Sequence, residues 1–177
     1  PAPMTLYRGI SKLEPGFFMT IDGNGTVTKE RYWDALNTSA SVQIQDEHEY
    51  VGRLQELLAE SVKLRMMSDV PVGVFLSGGL DSSAIVSLMD SFKNGTISTF
   101  TVGFDGFEER SELGNAREIA KEFHTNHHEV VIDQGDVFDC MPNIIRHQDE
   151  PIADPTCVPF YYLAKSAQSS GVPVIQV

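Results

Sequence analysis

A run of seven residues, Ser77-Gly78-Gly79-Leu80-Asp81-Ser82-Ser83, brings two glycines, three serine hydroxyls and one carboxylate together. Glycine lets the backbone turn tightly and approach a ligand closely. The first amides of a helix that follows have no internal partner and point at any anion placed there. The serine hydroxyls can add hydrogen bonds to phosphate oxygens, and no base lies nearby that would make one of them a covalent nucleophile. The run therefore predicts a nucleotide-phosphate site.

Other phosphate or nucleophile motifs fit this run poorly. A Walker A loop ends in Gly-Lys-Ser or Gly-Lys-Thr, and no lysine occurs between Arg65 and Lys93. A Rossmann fingerprint needs a third glycine, and a nucleophile elbow needs a glycine where Phe75 stands. The remaining pattern, S-G-G-x-D-S, resembles the PP-loop of the ATP pyrophosphatases, which break ATP between its α and β phosphates. The alternative is an ordinary helix start with Asp81 and Ser82 in the first turn.

Asp81 suggests a metal ion beside the phosphates. A carboxylate in the first turn of a helix gains only about 0.3–1 kcal/mol from the helix dipole. Next to a polyphosphate the same charge is repulsive unless a cation lies between them. Mg²⁺ is bound by one or two carboxylates together with phosphate oxygens, so we expect Asp81 to be a Mg²⁺ ligand.

The elements around the run predict an α/β fold. A short apolar strand, 70–76, precedes it, and apolar residues at helical spacing follow in 84–89. Strands and helices then alternate, with strands at 97–104, 128–132 and 171–177 and helices at 111–123, 137–147 and 158–169. Such alternation predicts a doubly wound parallel sheet, whose ligands lie beyond the carboxyl ends of the strands.

The first part of the chain, 1–45, differs from the remainder, 46–177. Residues 16–28 predict a β-hairpin with an Asn24-Gly25 turn, and residues 37–41 form a polar linker. Residues 46–67 then show the apolar periodicity of a helix. We therefore expect a small hairpin segment ahead of the α/β domain.

The composition limits the kinds of binding partner and the cellular compartment that we expect. The chain has 177 residues, 41% of them hydrophobic, and a net charge of −12. This charge argues against a nucleic acid or an anionic membrane surface as partner. No apolar run approaches the ~20 residues of a membrane span. Cys140 and Cys157 lack C-x-x-C spacing and are expected to be free thiols in a reducing cytoplasm.

Two polar clusters admit more than one interpretation. His124, His127, His128 and Glu129 could suggest zinc, but adjacent residues of a strand point to opposite faces, so strand histidines without a metal are favoured. The acidic run 105–112 fits a solvated loop and helix start, although its place near the expected nucleotide edge also suits a gate.

Several segments together resemble the synthetase domain of the glutamine-dependent asparagine synthetase family, over nearly the whole chain. The most characteristic is 69–83, DVPVGVFLSGGLDSS; the others are TFTVGF at 99–104, NHHE at 126–129, DEPIADP at 149–155, and the hairpin region from LYRGISKLEPG at 6–16 to RYW at 31–33.

The resemblance implies a division of roles among these residues. Leu76 and Val102 would flank adenine, and the run from Ser77 to Ser83 would hold the pyrophosphate of ATP, with Asp81 binding Mg²⁺. Glu150 and Asp154 would lie on the substrate side and contact the amino group of the acceptor. The loop that carries them also fits a simple proline-stiffened connection.

The chemistry implied for the intact protein is AMP-forming. ATP adenylates a carboxylate, aspartate in the type case, and releases pyrophosphate; ammonia from glutamine then forms the amide. Members of the family also amidate or cyclise other carboxylates, so the acceptor stays open. A homodimer of the full-length protein is compatible with the resemblance.

Two parts of the family pattern are not found in these 177 residues. They are the glutaminase domain with its catalytic cysteine and the acidic glycine-rich loop that supplies a second Mg²⁺ ligand. We therefore expect 46–177 to be an incomplete synthetase domain, inactive alone, and 1–45 to come from the end of the glutaminase domain. A non-catalytic ATP-binding module is the alternative, as is PP-loop chemistry on sulfate or tRNA, although the acidic charge disfavours tRNA.

Overall fold

The computed structural model of the chain describes residues 2–37, 46–93, 95–106, 112–149 and 153–177. Its strands are β1 (Phe17–Ile21), β2 (Val27–Arg31), β3 (Val72–Phe75), β4 (Ser98–Phe104), β5 (Asn126–Ile132) and β6 (Val174–Gln176). Its helices are α1 (Glu47–Arg65), α2 (Leu80–Phe92), α3 (Leu113–Glu122), α4 (Gln134–Gln148) and α5 (Cys157–Ser169), with a 3-10 turn at Ala35–Asn37. The chain divides into two compact units, Pro1–Glu49 and Tyr50–Val177.

The second unit is built on a parallel sheet in the order β5-β4-β3-β6. The chain moves outward from β3 to β5 and then returns to place β6 on the other side of β3. This reversal makes the carboxyl end of β3 the switch point of a doubly wound sheet, where ligands of such folds bind. The predicted fold class is therefore confirmed.

Helices cover both faces of the sheet because consecutive strand residues point to opposite sides. Val74 belongs to a buried cluster with residues of α1, α2 and α3, whereas its neighbour Phe75 packs against Phe100 and α5 on the opposite face. A third cluster joins the end of β5 to α4 and α5 around Cys140. The result is a three-layer arrangement of helix, sheet and helix.

The helix and strand boundaries differ slightly from those predicted. β5 begins at Asn126, two residues before the predicted start. α4 begins at Gln134, because Asp133 and Asp136 form a reciprocal capping box with hydrogen bonds of 2.9 and 3.0 Å. No helix in the described ranges is long and apolar enough to span a membrane.

The first unit contains the predicted hairpin, in which Ile21 pairs with Val27. Asn24 and Gly25 lie in the loop that joins the two strands, as predicted. This loop is held by the Asp22 carboxylate, which accepts from the amides of Asn24 at 2.9 Å and Thr26 at 2.8 Å. The predicted linker continues beyond the described residues after position 37.

Candidate nucleotide-binding site

The turn between β3 and α2 is closed by its own serines. The Ser77 and Ser82 hydroxyls lie 3.0 Å apart, and the Ser82 hydroxyl accepts from the Ser77 amide at 3.2 Å. Ser77 in turn accepts from the Gly79 amide at 3.2 Å. Gly78 has a φ of 76°, a left-handed conformation that favours glycine. The turn is thus pre-shaped as a small loop of hydroxyls and amides.

The start of α2 has no side-chain cap. Its N-cap residue is Gly79, and among the described residues no side chain caps the first helical amides. Those amides have no intrahelical partners and carry the positive end of the helix dipole. Asp81 is exposed in the same turn. The structure therefore places an anion-binding end and one carboxylate side by side.

A cleft of about 820 Å³ opens beside this turn, at the carboxyl ends of β3 and β4. Nine residues were predicted from the sequence to bind the nucleotide. Five of them line this cleft, namely Leu76, Ser77, Asp81, Ser82 and Val102. The remaining four, Gly78, Gly79, Leu80 and Ser83, belong to the same turn but do not line the cleft. Leu80 is 86% exposed, so its side chain projects into solvent.

The wall opposite the turn is apolar and comes from α5. Pro159, Phe160 and Leu163 line it, and the Phe160 ring stacks on Phe75 with centroids 5.8 Å apart. A flat apolar slot next to hydroxyls and amides suits a heteroaromatic base attached to phosphates. No feature of the sequence specifically indicated that α5 would supply this wall.

Thr101 also contributes to the site, and its role was not predicted. Its side chain is only 2% exposed, and its hydroxyl donates to the carbonyl of Leu76. The Leu76 amide also bonds the Phe100 carbonyl at 2.8 Å. Both contacts fix Leu76, the residue that directly follows β3 and precedes the turn. The only hint of this role in the sequence was a threonine within a mostly apolar strand.

Helix α3 approaches the site closely. A Cβ on Gly78 would lie 2.7 Å from the Ala116 nitrogen, and one on Gly103 would lie 2.5 Å from Leu113 Cδ1. Glu112, just before the helix, lines the cleft. This is the end of the acidic run 105–112; its positions 107–111, and with them most of the suggested gate, lie outside the described residues.

Of the two residues expected on the substrate side, only Asp154 lies among the described residues. Glu150 lies outside the described residues. Asp154 does not line the cleft; its carboxylate accepts from the Thr156 hydroxyl at 2.7 Å and amide at 2.9 Å, and these bonds lower its pKa. Thr156 itself does line the cleft.

The histidines of β5 serve different faces of the sheet. His127 Nδ1 lies 2.8 Å from Thr99 Oγ1, whereas the His128 ring stacks on Phe100 with centroids 4.8 Å apart. Within the described ranges, no three His, Cys, Asp or Glu side chains are grouped so as to hold a metal ion. His127 and His128 therefore point to opposite faces of the sheet, as expected for neighbours in a strand.

Comparison with known proteins identifies the family. The sequence profile of the family described as asparagine synthase matches residues 53–176, which contain the four-stranded parallel sheet and every residue that lines the cleft except Val177. The chain belongs to the asparagine synthase family.

Relatives in this family include named asparagine synthetases. "Asparagine synthetase [glutamine-hydrolyzing] 1" of Bacillus subtilis is 38% identical over 170 residues, covering 95% of this chain and 26% of that protein. A putative glutamine-hydrolysing asparagine synthetase of Methanocaldococcus jannaschii is 32% identical, covering 95% and 32%. The amidase chyE of Penicillium rubens is 27% identical, covering 97% and 28%. The chain thus spans about a quarter to a third of these relatives.

Among solved structures, the NH3-dependent NAD synthetase of Campylobacter jejuni is similar with a TM-score of 0.46 and 12% identity, covering 68% of this chain and 53% of that one. A similarity at this level carries no functional argument.

Proposed function

We propose that this chain forms the ATP-binding part of an AMP-forming amidotransferase that adenylates a carboxylate, with aspartate the first candidate, and then makes its amide with ammonia from glutamine. The observation that carries the proposal is a single one. The glycine-serine turn, the uncapped start of α2 and Asp81 all lie beside one apolar cleft at the switch point of the sheet.

In this proposal the cleft orients ATP in two ways. Adenine lies in the apolar part between Leu76 and Val102, facing the ring of Phe160. The β and γ phosphates lie on the turn, where Ser77 and Ser82 exchange their mutual hydrogen bond for bonds to phosphate oxygens. Backbone amides fixed in place before the reaction stabilise the charge that develops as pyrophosphate leaves.

Asp81 fits a Mg²⁺ ligand by the chemistry of its donor. It offers one exposed carboxylate beside the phosphate turn, and Mg²⁺ characteristically takes one or two carboxylates and completes its shell with phosphate oxygens and water. When bound, the ion would neutralise phosphate charge during adenylation. Asp81 would hold the ion at the helix end; without the ion it is a first-turn acid favoured by the helix dipole.

The acceptor is the finer part of the proposal. Relatives carry names of glutamine-hydrolysing asparagine synthetases, and one is named an amidase. Aspartate is therefore the first carboxylate to test, followed by other amino-acid carboxylates. A cytoplasmic location and a homodimer belong to the same proposal.

A chimera tests the proposed chemistry directly. This chain would replace the matching 170 residues of the Bacillus subtilis relative, and pyrophosphate release would be measured with ATP, Mg²⁺ and each carboxylate. We expect aspartate-dependent release that Asp81→Ala abolishes, while glutamine hydrolysis, measured as the folding control, continues. ATP binding without carboxylate-dependent release would instead support a non-catalytic ATP module.

A further inference from the structure

A polar network ties α3 to the sheet on the side away from α5. Arg117 of α3 donates two hydrogen bonds to Glu129 of β5, from Nε at 2.6 Å and from Nη2 at 2.7 Å. The same Glu129 lies 3.4 Å from His127 Nε2, and His127 Nδ1 lies 2.8 Å from the Thr99 hydroxyl. The Thr99 hydroxyl is also 2.8 Å from that of Thr125.

The network has the order acid, histidine, hydroxyl found in nucleophilic triads. Burial excludes that role in this structure, because Thr99 is 0% exposed and no substrate could reach its oxygen. Glu129 is also engaged by Arg117 through both oxygens, which lowers its pKa. The network therefore acts on the position of α3 and not on a substrate.

The position of α3 determines how much space is left beside the turn from Ser77 to Ser83. Arg117 directly follows Asn115 and Ala116, whose atoms lie 2.7 to 2.9 Å from where a Cβ on Gly78 would be. Arg117 lies in the middle of α3 (Leu113–Glu122), and just past the carboxyl end of the helix the Thr125 amide donates to the Ala120 carbonyl at 2.9 Å. Because Arg117 links the helix to β5, α3 cannot tilt away from Gly78 without breaking the hydrogen bonds to Glu129.

We propose that Arg117, Glu129 and His127 are positioning residues that hold the first turn of α3 against Gly78. They thereby set the shape of the turn from Ser77 to Ser83. The inference rests on the proposed function for its ligand, ATP. It assigns no chemical step to the three side chains. Their effect on nucleotide binding passes through Asn115 and Ala116.

The variant Glu129→Gln separates positioning from simple electrostatics. Removal of a negative charge would tighten the binding of an anion if the charge acted only through its field. If the hydrogen bonds between Glu129 and Arg117 instead hold α3 in place, their loss would weaken ATP binding. The expected loss is about fivefold, the size of coupling measured between residues in packed networks. Calorimetry with Mg²⁺ and ATP decides between these signs. Glu56→Gln is the matched control, because it removes the same group from an exposed pair with Arg53.

Weaker binding in Glu129→Gln, with Glu56→Gln like the wild type, supports the proposal; equal or tighter binding overturns it. Absence of ATP binding by the wild-type chain would count against the proposed function instead. In that case, amide hydrogen exchange of the wild type and of Glu129→Gln, both without nucleotide, tests whether Glu129 positions α3. We expect faster exchange confined to residues 77–79 and 113–117 in Glu129→Gln. Unchanged exchange, or a rise spread over the whole sheet, overturns it.

Discussion

Gly78 and the backbone nitrogen of Ala116 approach each other so closely that a Cβ on Gly78 would lie 2.7 Å from that nitrogen. Two separate requirements therefore fall on one residue. Its φ of 76° needs glycine, and its contact with α3 leaves no room for a side chain. The turn from Ser77 to Ser83 and the first turn of α3 are in this way built as one unit.

Gly78→Ala should damage both stability and binding. The left-handed conformation alone costs roughly 1–2 kcal/mol for a residue with a Cβ. The clash with Ala116 adds to this cost or forces α3 away from the turn. We expect the free energy of unfolding in urea to fall by at least that amount, and the dissociation constant for ATP to rise about tenfold or more.

Gly114→Ala is the matched control in the first turn of α3. A Cβ at this position meets nothing within 4 Å. Because glycine inside a helix is less stable than alanine by about 0.5–1 kcal/mol, we expect a small gain in stability and unchanged ATP binding. Equal behaviour of the two alanine variants would contradict the steric role given to Gly78.

Thr101→Val tests how the end of β3 is fixed. The change keeps the shape of the buried side chain but removes the hydroxyl that donates to the Leu76 carbonyl. A buried acceptor deprived of its partner costs about 1–3 kcal/mol. We expect a loss of stability in that range and weaker ATP binding.

Thr101→Ser keeps the hydroxyl and serves as the comparison. It should lose only the contribution of one methyl group, about 1 kcal/mol, and retain ATP affinity. If Thr101→Ser and Thr101→Val weaken ATP binding equally, the hydrogen bond to Leu76 does not shape the site.

The partly buried ring of His127 predicts a loss of stability in mild acid. Burial lowers its pKa below the ordinary 6.5, although the nearby Glu129 carboxylate opposes this and Arg117 and His128 add to it. The unfolded chain then binds the proton more readily, so the free energy of unfolding falls as pH drops through and below 6.5.

Urea unfolding between about pH 7.5 and pH 5 measures this dependence, above the range in which Glu129 would protonate. His127→Gln should flatten the curve over that interval. A curve of unchanged slope in His127→Gln would show that other groups cause the acid sensitivity.

Asp81→Asn tests the metal ligand. Without Mg²⁺, removal of the carboxylate should leave ATP binding equal or tighter, because a repulsive charge beside the phosphates is gone. With Mg²⁺, the wild-type chain should gain affinity and the variant should gain much less. Calorimetry with and without Mg²⁺ gives both comparisons. An equal gain in the two proteins would rule out Asp81 as the Mg²⁺ ligand.

Local sequence patterns were sufficient for most of the fold. The switch from apolar runs such as Val72–Phe75 to helical spacing in Leu80–Phe92 predicted the order of strands and helices, because each segment buries one or two faces in a regular period. The start of α4 was missed because Asp133 and Asp136 read as polar loop residues until their reciprocal bonds are seen.

The site was predictable only where its residues are close in sequence. The run from Ser77 to Ser83 carries its own turn and helix start. Thr101, Phe160 and Ala116 were not foreseen, because each meets the turn or the cleft across a gap in sequence that depends on how helices pack on the sheet. Asp154 was assigned to the substrate side by resemblance; its carboxylate accepts from the Thr156 hydroxyl, and its role toward a substrate stays a prediction.

The central claim is that the turn from Ser77 to Ser83 binds the pyrophosphate part of ATP. Calorimetric titration of this chain with ATP and with AMP, both in Mg²⁺, tests it most directly. We expect ATP to bind at least about tenfold more tightly than AMP and inorganic pyrophosphate to compete with it. Equal affinities for ATP and AMP, or no competition by pyrophosphate, would contradict the claim.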